Sequence, residues 1–138
     1  TNGVVIKNVN VRDTFGAPLT SDCFGIYLTN VKDAVIENST VLRTFPTGSG
    51  IGIKFENVSV FEITGTSSNS NANEGYMLVG SSNGIVQECK ALSNGGNGFF
   101  DDQADLSKIT TYIENVGSKN NANFNVGVNT MIGNISVN

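Results

Sequence analysis

The hydrophobic and polar positions of this chain alternate over short runs that recur at regular intervals. A glycine, an isoleucine or aromatic residue, any residue and an apolar residue follow one another at 25–28, 52–55 and 75–78, and more loosely at 98–100. Alternation with period two predicts strands, and no window shows sustained apolar residues at helical spacing. The glycines that open these phrases are 27, 23 and 23 residues apart. Repetition at such a period predicts a stacked all-β solenoid.

A second phrase, Ile-x-Asn, runs in step with the first at 6–8, 36–38, 113–115 and 132–134, with Ile63 and Val86 filling the isoleucine position elsewhere. Asn30 and Asn57 also recur just after the strand that each glycine phrase predicts. Asparagine accepts the left-handed backbone conformation and bonds to its own backbone, so these positions predict corners of the coil. Because stacked coils place corners above one another, we expect ladders of side-chain amides inside the stack.

Composition fits one domain, residues 1–138, of about six coils with 23–27 residues each. The chain has 16 Gly, 2 Pro and no Trp, which suits short strands joined by tight turns. Only 14% of residues are charged and the net charge is −4, so the basic surface of a nucleic-acid-binding protein is missing. No apolar run is long enough for a membrane span. Strand patterns close to both termini predict a segment of a longer solenoid, or one covered by partners.

The glycine phrase, the Ile-x-Asn phrase and the coil length together resemble the right-handed parallel β-helix repeats of the pectate-lyase-like superfamily. The resemblance covers nearly the whole chain. It implies coils of three short strands whose inward side chains stack in columns. The superfamily includes polysaccharide lyases, polygalacturonase-like glycosidases, alginate epimerases, phage tailspikes and surface proteins of no known chemistry. The resemblance therefore indicates architecture, whereas activity depends on sites carried by the fold.

One of the predicted inward columns contains a charged residue among apolar ones. Leu28, Phe55 and Leu78 are expected to stack, and the fourth member of their column is Asp101. The spacing of the next strand indicates four inserted residues in a turn that contains Asp101, Asp102 and Asp105. Carboxylates so close together suit Ca²⁺ coordination or acid/base chemistry on a glycosidic bond. A solvated acidic turn, with no cofactor required, is the alternative that we favour.

The catalytic motifs of the enzyme branches are largely missing. The chain has no histidine, which polygalacturonase-like enzymes and alginate epimerases of this fold use. Pectate lyases use a basic residue to abstract a proton, and Arg12 and Arg43 are the only arginines. Similar local sequences surround these two arginines, and we expect them on one outer face beside Phe15 and Phe45, where guanidinium groups suit an acidic sugar. The alternative pairs Arg12 with its neighbour Asp13 and packs the phenylalanines under a loop.

A strip of outward side chains is predicted on the strand of each glycine phrase. Tyr27, Met77 and Phe100 occupy equivalent positions, and Lys54 lies between the first two. Such a strip is suited to a sugar ring or to a neighbouring subunit, and we favour the subunit because Met and Phe offer no directed hydrogen bonds. The resemblance implies a trimer. The polar connection 67–74 is expected to be mobile and to project from one edge.

Three functions are consistent with the sequence. The first is a non-catalytic structural or adhesive segment of a surface, spike or fibre protein that contacts glycans. The second is a polysaccharide-active enzyme, either a lyase, a glycosidase or an epimerase, and the third is a carbohydrate-binding module. The expected partners are polysaccharide, flanking coils or further copies of the chain, and the expected location is extracellular, at a cell surface or at a virion surface.

Overall fold

The computed structural model describes residues 2–15, 22–45 and 50–138, which form seventeen strands, numbered here in chain order. Sheet A contains β1 (Asn2–Lys7), β4 (Lys32–Glu37), β7 (Ser59–Thr64), β10 (Ser82–Gln87), β13 (Thr111–Ile113) and β16 (Thr130–Ile132). Sheet B contains β2 (Asn10–Phe15), β5 (Thr40–Phe45), β8 (Ser67–Asn69), β11 (Lys90–Leu92), β14 (Val116–Ser118) and β17 (Ile135–Val137). Sheet C contains β3 (Cys23–Thr29), β6 (Gly50–Glu56), β9 (Tyr76–Val79), β12 (Asn97–Asp101) and β15 (Ala122–Asn125).

Every third strand joins the same sheet, and every pairing is parallel. The chain therefore winds through sheets A, B and C in turn, and each circuit lies on the previous one. This is a parallel β-helix, and crossover connections between parallel strands are right-handed. The predicted fold class is confirmed. The coil count differs slightly from the predicted six, because sheet C has five strands where sheets A and B have six.

The inward columns of sheet C follow the register that the glycine phrases predicted. Ile26, Ile53, Tyr76 and Phe99 align and are buried. The rings of Tyr76 and Phe99 stack in parallel with centroids 4.7 Å apart, and Phe124 continues the stack at 4.9 Å. Because a coil cannot bury its apolar face alone, this stacking is what holds neighbouring coils together.

Asparagine at the outer corners has the predicted left-handed backbone, but its side chains lie at the surface rather than inside the stack. Asn30 and Asn57 both have φ 53°, and the Nδ2 of Asn57 lies 3.5 Å from the Oδ1 of Asn30. Both side chains are exposed. The Ile-x-Asn phrase, however, covers two different positions. Asn38 has the left-handed backbone, whereas in the fifth coil that backbone belongs to Glu114 and Asn115 lies one residue further, fully buried.

The fifth coil differs from its predicted register by one residue. Val86 pairs with Tyr112, and Ile113, which was predicted for this inward column, pairs with Gln87. Tyr76 and Val86 are ten positions apart, whereas their partners Phe99 and Tyr112 are thirteen apart. The insertion therefore adds three residues, not four. Tyr112 and Ile113 are both apolar, so the sequence alone did not fix which one faces inward.

A buried amide ladder runs between sheets B and C, formed by Asn71, Asn94, Asn120 and Asn123. Each Nδ2 donates to the Oδ1 of the next ladder member, at 2.8, 2.9 and 2.9 Å. Asn71 and Asn94 are each only 3% exposed. The predicted connection 67–74 is not a free loop along its whole length, since Ser67–Asn69 form β8 and Asn71 is held at the core.

The glycine column explains the phrase from which the fold was predicted. Gly52, Gly75 and Gly98 align with one another beside the amide ladder. A Cβ on Gly75 would lie 2.8 Å from the Nδ2 of Asn94, and one on Gly98 would lie 2.7 Å from the Nδ2 of Asn120. Glycine recurs here because the ladder fills the space that a side chain would need. Among the described residues, no helix is long and apolar enough to cross a membrane.

Candidate functional site

Asp101 lies inside the β-helix, as its place in the Leu28, Phe55 and Leu78 column predicted. Its side chain is only 2% exposed. The hydroxyl of Tyr112 donates to its Oδ2 at 3.1 Å, and the backbone N–H of Gln103 donates to its Oδ1 at 3.0 Å. The solvated-turn interpretation is therefore wrong for this residue. Two hydrogen bonds to one carboxylate offset part of the cost of burying it.

The surroundings of Asp101 favour its neutral form. Burial raises the pKa of the Asp101 carboxyl, and the hydrogen bonds from Gln103 and Tyr112 lower it in part. Burial, together with the neighbouring Asp101 carboxylate, holds the pKa of Tyr112 well above its usual value. Ionisation of Asp101 is therefore less favourable in the folded chain than in the unfolded chain.

We expect this burial to make the stability of the chain depend on pH through Asp101. A carboxyl whose pKa is raised by folding is most favourable to the folded state when protonated, so its contribution is lost as the pH rises through its folded pKa. Asp101→Asn removes the titration. The difference in free energy of unfolding, wild type minus variant, should become more favourable to the wild type as the pH falls from 7 towards 4. Urea unfolding at several pH values measures it, and Asp102→Asn is the exposed control. An unchanged difference across this range would contradict the assignment.

The other two carboxylates of the turn, Asp102 and Asp105, lie at the surface. Asp102 is exposed and its Oδ1 accepts the backbone N–H of Gly80 at 2.8 Å. Asp105 is exposed and accepts the backbone N–H and the hydroxyl of Ser107, at 2.9 and 2.7 Å, which lowers the pKa of its carboxyl. The solvated-turn interpretation describes these two residues. Each of the three carboxylates thus has its own set of partners.

The predicted metal and acid/base roles both need converging carboxylates. Within the described ranges, no group of three His, Cys, Asp or Glu side chains is placed to hold a metal ion. The Ca²⁺ site at Asp101, Asp102 and Asp105 remains a prediction from sequence. Asp101 is closed off from solvent inside the column, whereas a group that acts on a polymer must reach it.

The two arginines do not form the stacked pair expected from sequence. Arg12 lies opposite Leu42, and its Nε donates to Asn10 Oδ1 at 3.0 Å. Arg43 binds Asp13 through two bonds, Nε to Oδ1 at 2.6 Å and Nη2 to Oδ2 at 2.9 Å. The bond to Arg43 lowers the pKa of the Asp13 carboxyl. The partner of Asp13 is therefore the arginine of the next coil rather than its sequence neighbour.

The phenylalanines beside the arginines meet as a pair. The rings of Phe15 and Phe45 stack with centroids 5.6 Å apart. Phe15 is 70% exposed, so Phe45 covers only part of its ring among the described residues. The connections that follow, residues 16–21 and 46–49, lie outside the described residues, and so do the predictions that concern them.

The strip predicted on sheet C is present. Tyr27, Lys54, Met77, Phe100 and Asn125 align across the five strands of the sheet. Tyr27 is 41% exposed, whereas the three residues that follow it are half-buried. The members lie one strand spacing apart, about 4.8 Å, so the strip runs along the axis of the β-helix.

The Tyr27 end of the strip is a cluster of rings and charges. The rings of Phe24 and Tyr27 are 4.7 Å apart, and the Nζ of Lys54 lies 5.2 Å from each ring centroid. The carboxylate of Glu56 accepts the Tyr27 hydroxyl at 2.7 Å and pairs with Lys54 at 3.0 Å. The tyrosine hydroxyl and then the ammonium lower the pKa of the Glu56 carboxyl. Sequence analysis missed Phe24 and Glu56, because strict alternation from Ile26 places Phe24 inward.

A second feature, a trough of about 310 Å³ on the outside of sheet A, was not predicted. Its sides are two columns of the sheet, Asp33, Val60 and Asn83 in one and Val35, Glu62 and Ile85 in the other. All three residues of the first column have a left-handed backbone, with φ of 63°, 55° and 56°. Val60 bears a strain of roughly 1 kcal/mol in this conformation, since a branched side chain rarely adopts it. Both columns face outward, and Ala34 and Phe61 in the column between them are buried.

No protein-family profile matches the sequence, and no curated protein matches it. Two solved structures share its fold. The T265N mutant of the periplasmic alginate epimerase AlgG has a TM-score of 0.64 and AlgG itself a TM-score of 0.60, each at 15% sequence identity and over 99% of this chain. The fold that this chain shares with them is a right-handed parallel β-helix, as the repeat phrases indicated. The chain spans 36% and 39% of the length of these two proteins, and identity at this level shows the fold alone.

Proposed function

We propose that this chain is a non-catalytic part of a parallel β-helix that contacts glycans through the strip on sheet C. The observation that carries the proposal is the cluster of Phe24, Tyr27, Lys54 and Glu56 at one end of that strip. It combines two rings with an ammonium, a carboxylate and a hydroxyl on an accessible outer face. The sequence-based preference for a subunit contact depended on the lack of directed hydrogen bonds, and Glu56 and Tyr27 supply them.

The cluster has the properties of a sugar-binding surface. Aromatic rings offer flat apolar area to the C–H face of a sugar, and a tyrosine hydroxyl adds a polar group. Lys54 is held by Glu56 and by both rings, so little side-chain freedom remains to be lost on binding. The column from Tyr27 to Asn125 continues along the helix axis, which suits a linear polymer.

The two proteins of similar fold support a glycan partner only as an analogy. Both are named as an alginate epimerase and as periplasmic. On that analogy we place the chain outside the cytoplasm, and we expect an extended polysaccharide to be its partner. The catalytic alternative has less support, because the carboxylates predicted for catalysis do not converge among the described residues.

Glycan binding should depend on Tyr27. Tyr27→Ala removes a ring face and the hydroxyl bond to Glu56, so we expect affinity for the bound polysaccharide to fall about tenfold. Lys54→Ala should weaken binding as well, and Lys90→Ala, which removes an exposed lysine from sheet B, should leave it unchanged. Affinity gel electrophoresis against neutral and acidic polysaccharides measures all three, and the products should show no shortened or epimerised chains.

Two results would overturn this proposal. If no polysaccharide retards the wild-type chain, and light scattering shows an oligomer that Tyr27→Ala dissociates, the strip is a contact between subunits. If a polysaccharide is shortened or epimerised and Asp102→Asn abolishes the change, the chain is an enzyme.

A further inference from the structure

The trough on sheet A has its own chemistry, independent of the strip on sheet C. We propose that it binds a linear aliphatic amine carrying two or more ammonium groups. Its volume, about 310 Å³, is that of a site for a small molecule. The ligand class follows from how polar and apolar side chains alternate along the trough.

Each of three successive coils contributes one polar and one apolar side chain to the trough. The pairs are Asp33 with Val35, Val60 with Glu62, and Asn83 with Ile85. The polar member changes column at every coil, so the polar groups form a zigzag along the axis with aliphatic side chains between them. A ligand that lies along the trough therefore meets polar groups at intervals and methyl groups in between.

The charge of the trough is negative. Asp33 and Glu62 supply two carboxylates, and no lysine or arginine is among the described residues that line it. Glu62 uses one oxygen to accept the hydroxyl of Thr64 at 2.9 Å. Lys7 pairs with Glu37 at 2.9 Å, and neither residue lines the trough. An anionic ligand would be repelled here, whereas an ammonium group can form charge-assisted hydrogen bonds with both carboxylates.

The aliphatic side chains of the trough suit the hydrocarbon part of the ligand. Val60 and Ile85 are 47% and 41% exposed, which leaves their methyl groups open to a bound molecule. Equivalent positions to Val60 in neighbouring coils are Gly3, Asp33 and Asn83, residues that accept a left-handed backbone readily. Valine at this position adds a methyl-bearing side to the trough despite the strain. Methylene groups between two ammonium groups would pack against it.

Titration with unbranched diamines of increasing length, and with a linear triamine, tests the proposal. We expect affinity to peak at one chain length, with the methyl NMR signals of Val35, Val60 and Ile85 shifting together. Asp33→Asn and Glu62→Gln should each weaken binding about tenfold, the loss of one charge-assisted bond. Glu114→Gln, at an exposed carboxylate on another corner, is the matched control and should bind like the wild type.

The inference fails if affinity has no optimum of length, or if Glu114→Gln weakens binding as much as the trough variants do, because the amines would then respond only to net charge. Equal binding of diols of the same length would overturn it too. Circular dichroism confirms that each variant is folded. The trough variants should retain polysaccharide binding by the strip, so failure here is distinguishable from failure of the proposed function.

Discussion

Replacement of Asn94 by alanine is expected to lower the free energy of unfolding by about 4 kcal/mol. The Oδ1 of Asn94 accepts both the backbone N–H and the Nδ2 of Asn71, at 3.0 and 2.8 Å. Its Nδ2 donates to the carbonyl of Ser68 at 3.0 Å and to Asn120 Oδ1 at 2.9 Å. Alanine leaves these groups buried without their partner, and a buried unsatisfied polar group costs about 1–3 kcal/mol.

Urea unfolding followed by circular dichroism measures the effect, and an unchanged dependence on urea concentration shows that the folded state is the same. Asn121→Ala is the matched control, since Asn121 lies in the same corner and is exposed, and its cost should stay within about 0.5 kcal/mol. A loss below about 1 kcal/mol for Asn94→Ala would mean that water replaces the missing amide. The ladder would then be a consequence of the fold rather than a support of it.

The fold was predictable because every coil must bury apolar residues at equivalent positions. Ile26, Ile53 and Tyr76 must each face inward, so the alternation of apolar residues and the glycine spacing fixed both the strands and their order. The same logic placed Asp101 in an apolar column. Alternation does not show which residue donates a hydrogen bond to this buried carboxylate. The donor is Tyr112, which follows an insertion whose path the sequence does not give.

Interactions between coils were the harder part of the site to predict. Asp13 has Arg12 as its sequence neighbour, yet it binds Arg43 of the next coil. This ion pair depends on the register between β2 and β5, because a shift of one residue would change the partner of Asp13. In β-sheets a shift of one residue moves a side chain to the other face or to the next neighbour. Repeat phrases of uneven length do not fix the register to within one residue, so they do not predict the ion pair.

Alternation places both columns of the trough on the outer face, because Ala34 and Phe61, which lie between them, are buried. What alternation does not show is the left-handed backbone of Asp33, Val60 and Asn83. A signal was present, since Gly3, Asp33 and Asn83 are residue types that favour a left-handed backbone. Valine at position 60 concealed it.

Replacement of Gly52 by alanine should be nearly as damaging as loss of the ladder itself. A Cβ at this position would overlap the Oγ of Ser68 and would lie 2.6 Å from the Nδ2 of Asn71 and 2.8 Å from the carbonyl oxygen of Gly75. Ser68 and Asn71 are buried and bonded to each other at 3.0 Å, so neither side chain can move aside without breaking the polar network. Overpacking of this kind lowers the free energy of unfolding by about 3 kcal/mol.

Gly3→Ala is the comparison variant, at a glycine whose Cβ would meet no other atom. A Cβ on Gly3 meets nothing within 4 Å, but the residue has φ 73°, so the substitution should cost about 1 kcal/mol through its backbone alone. A loss at Gly52 no larger than the loss at Gly3 would contradict the steric clash, because Gly52 does not have the left-handed backbone that makes Gly3 costly to replace. A loss at Gly52 several times larger would mean that contact with the amide ladder is what requires glycine at Gly52, Gly75 and Gly98. The recurrence of glycine in the sequence would then follow from the space that the buried amide ladder occupies.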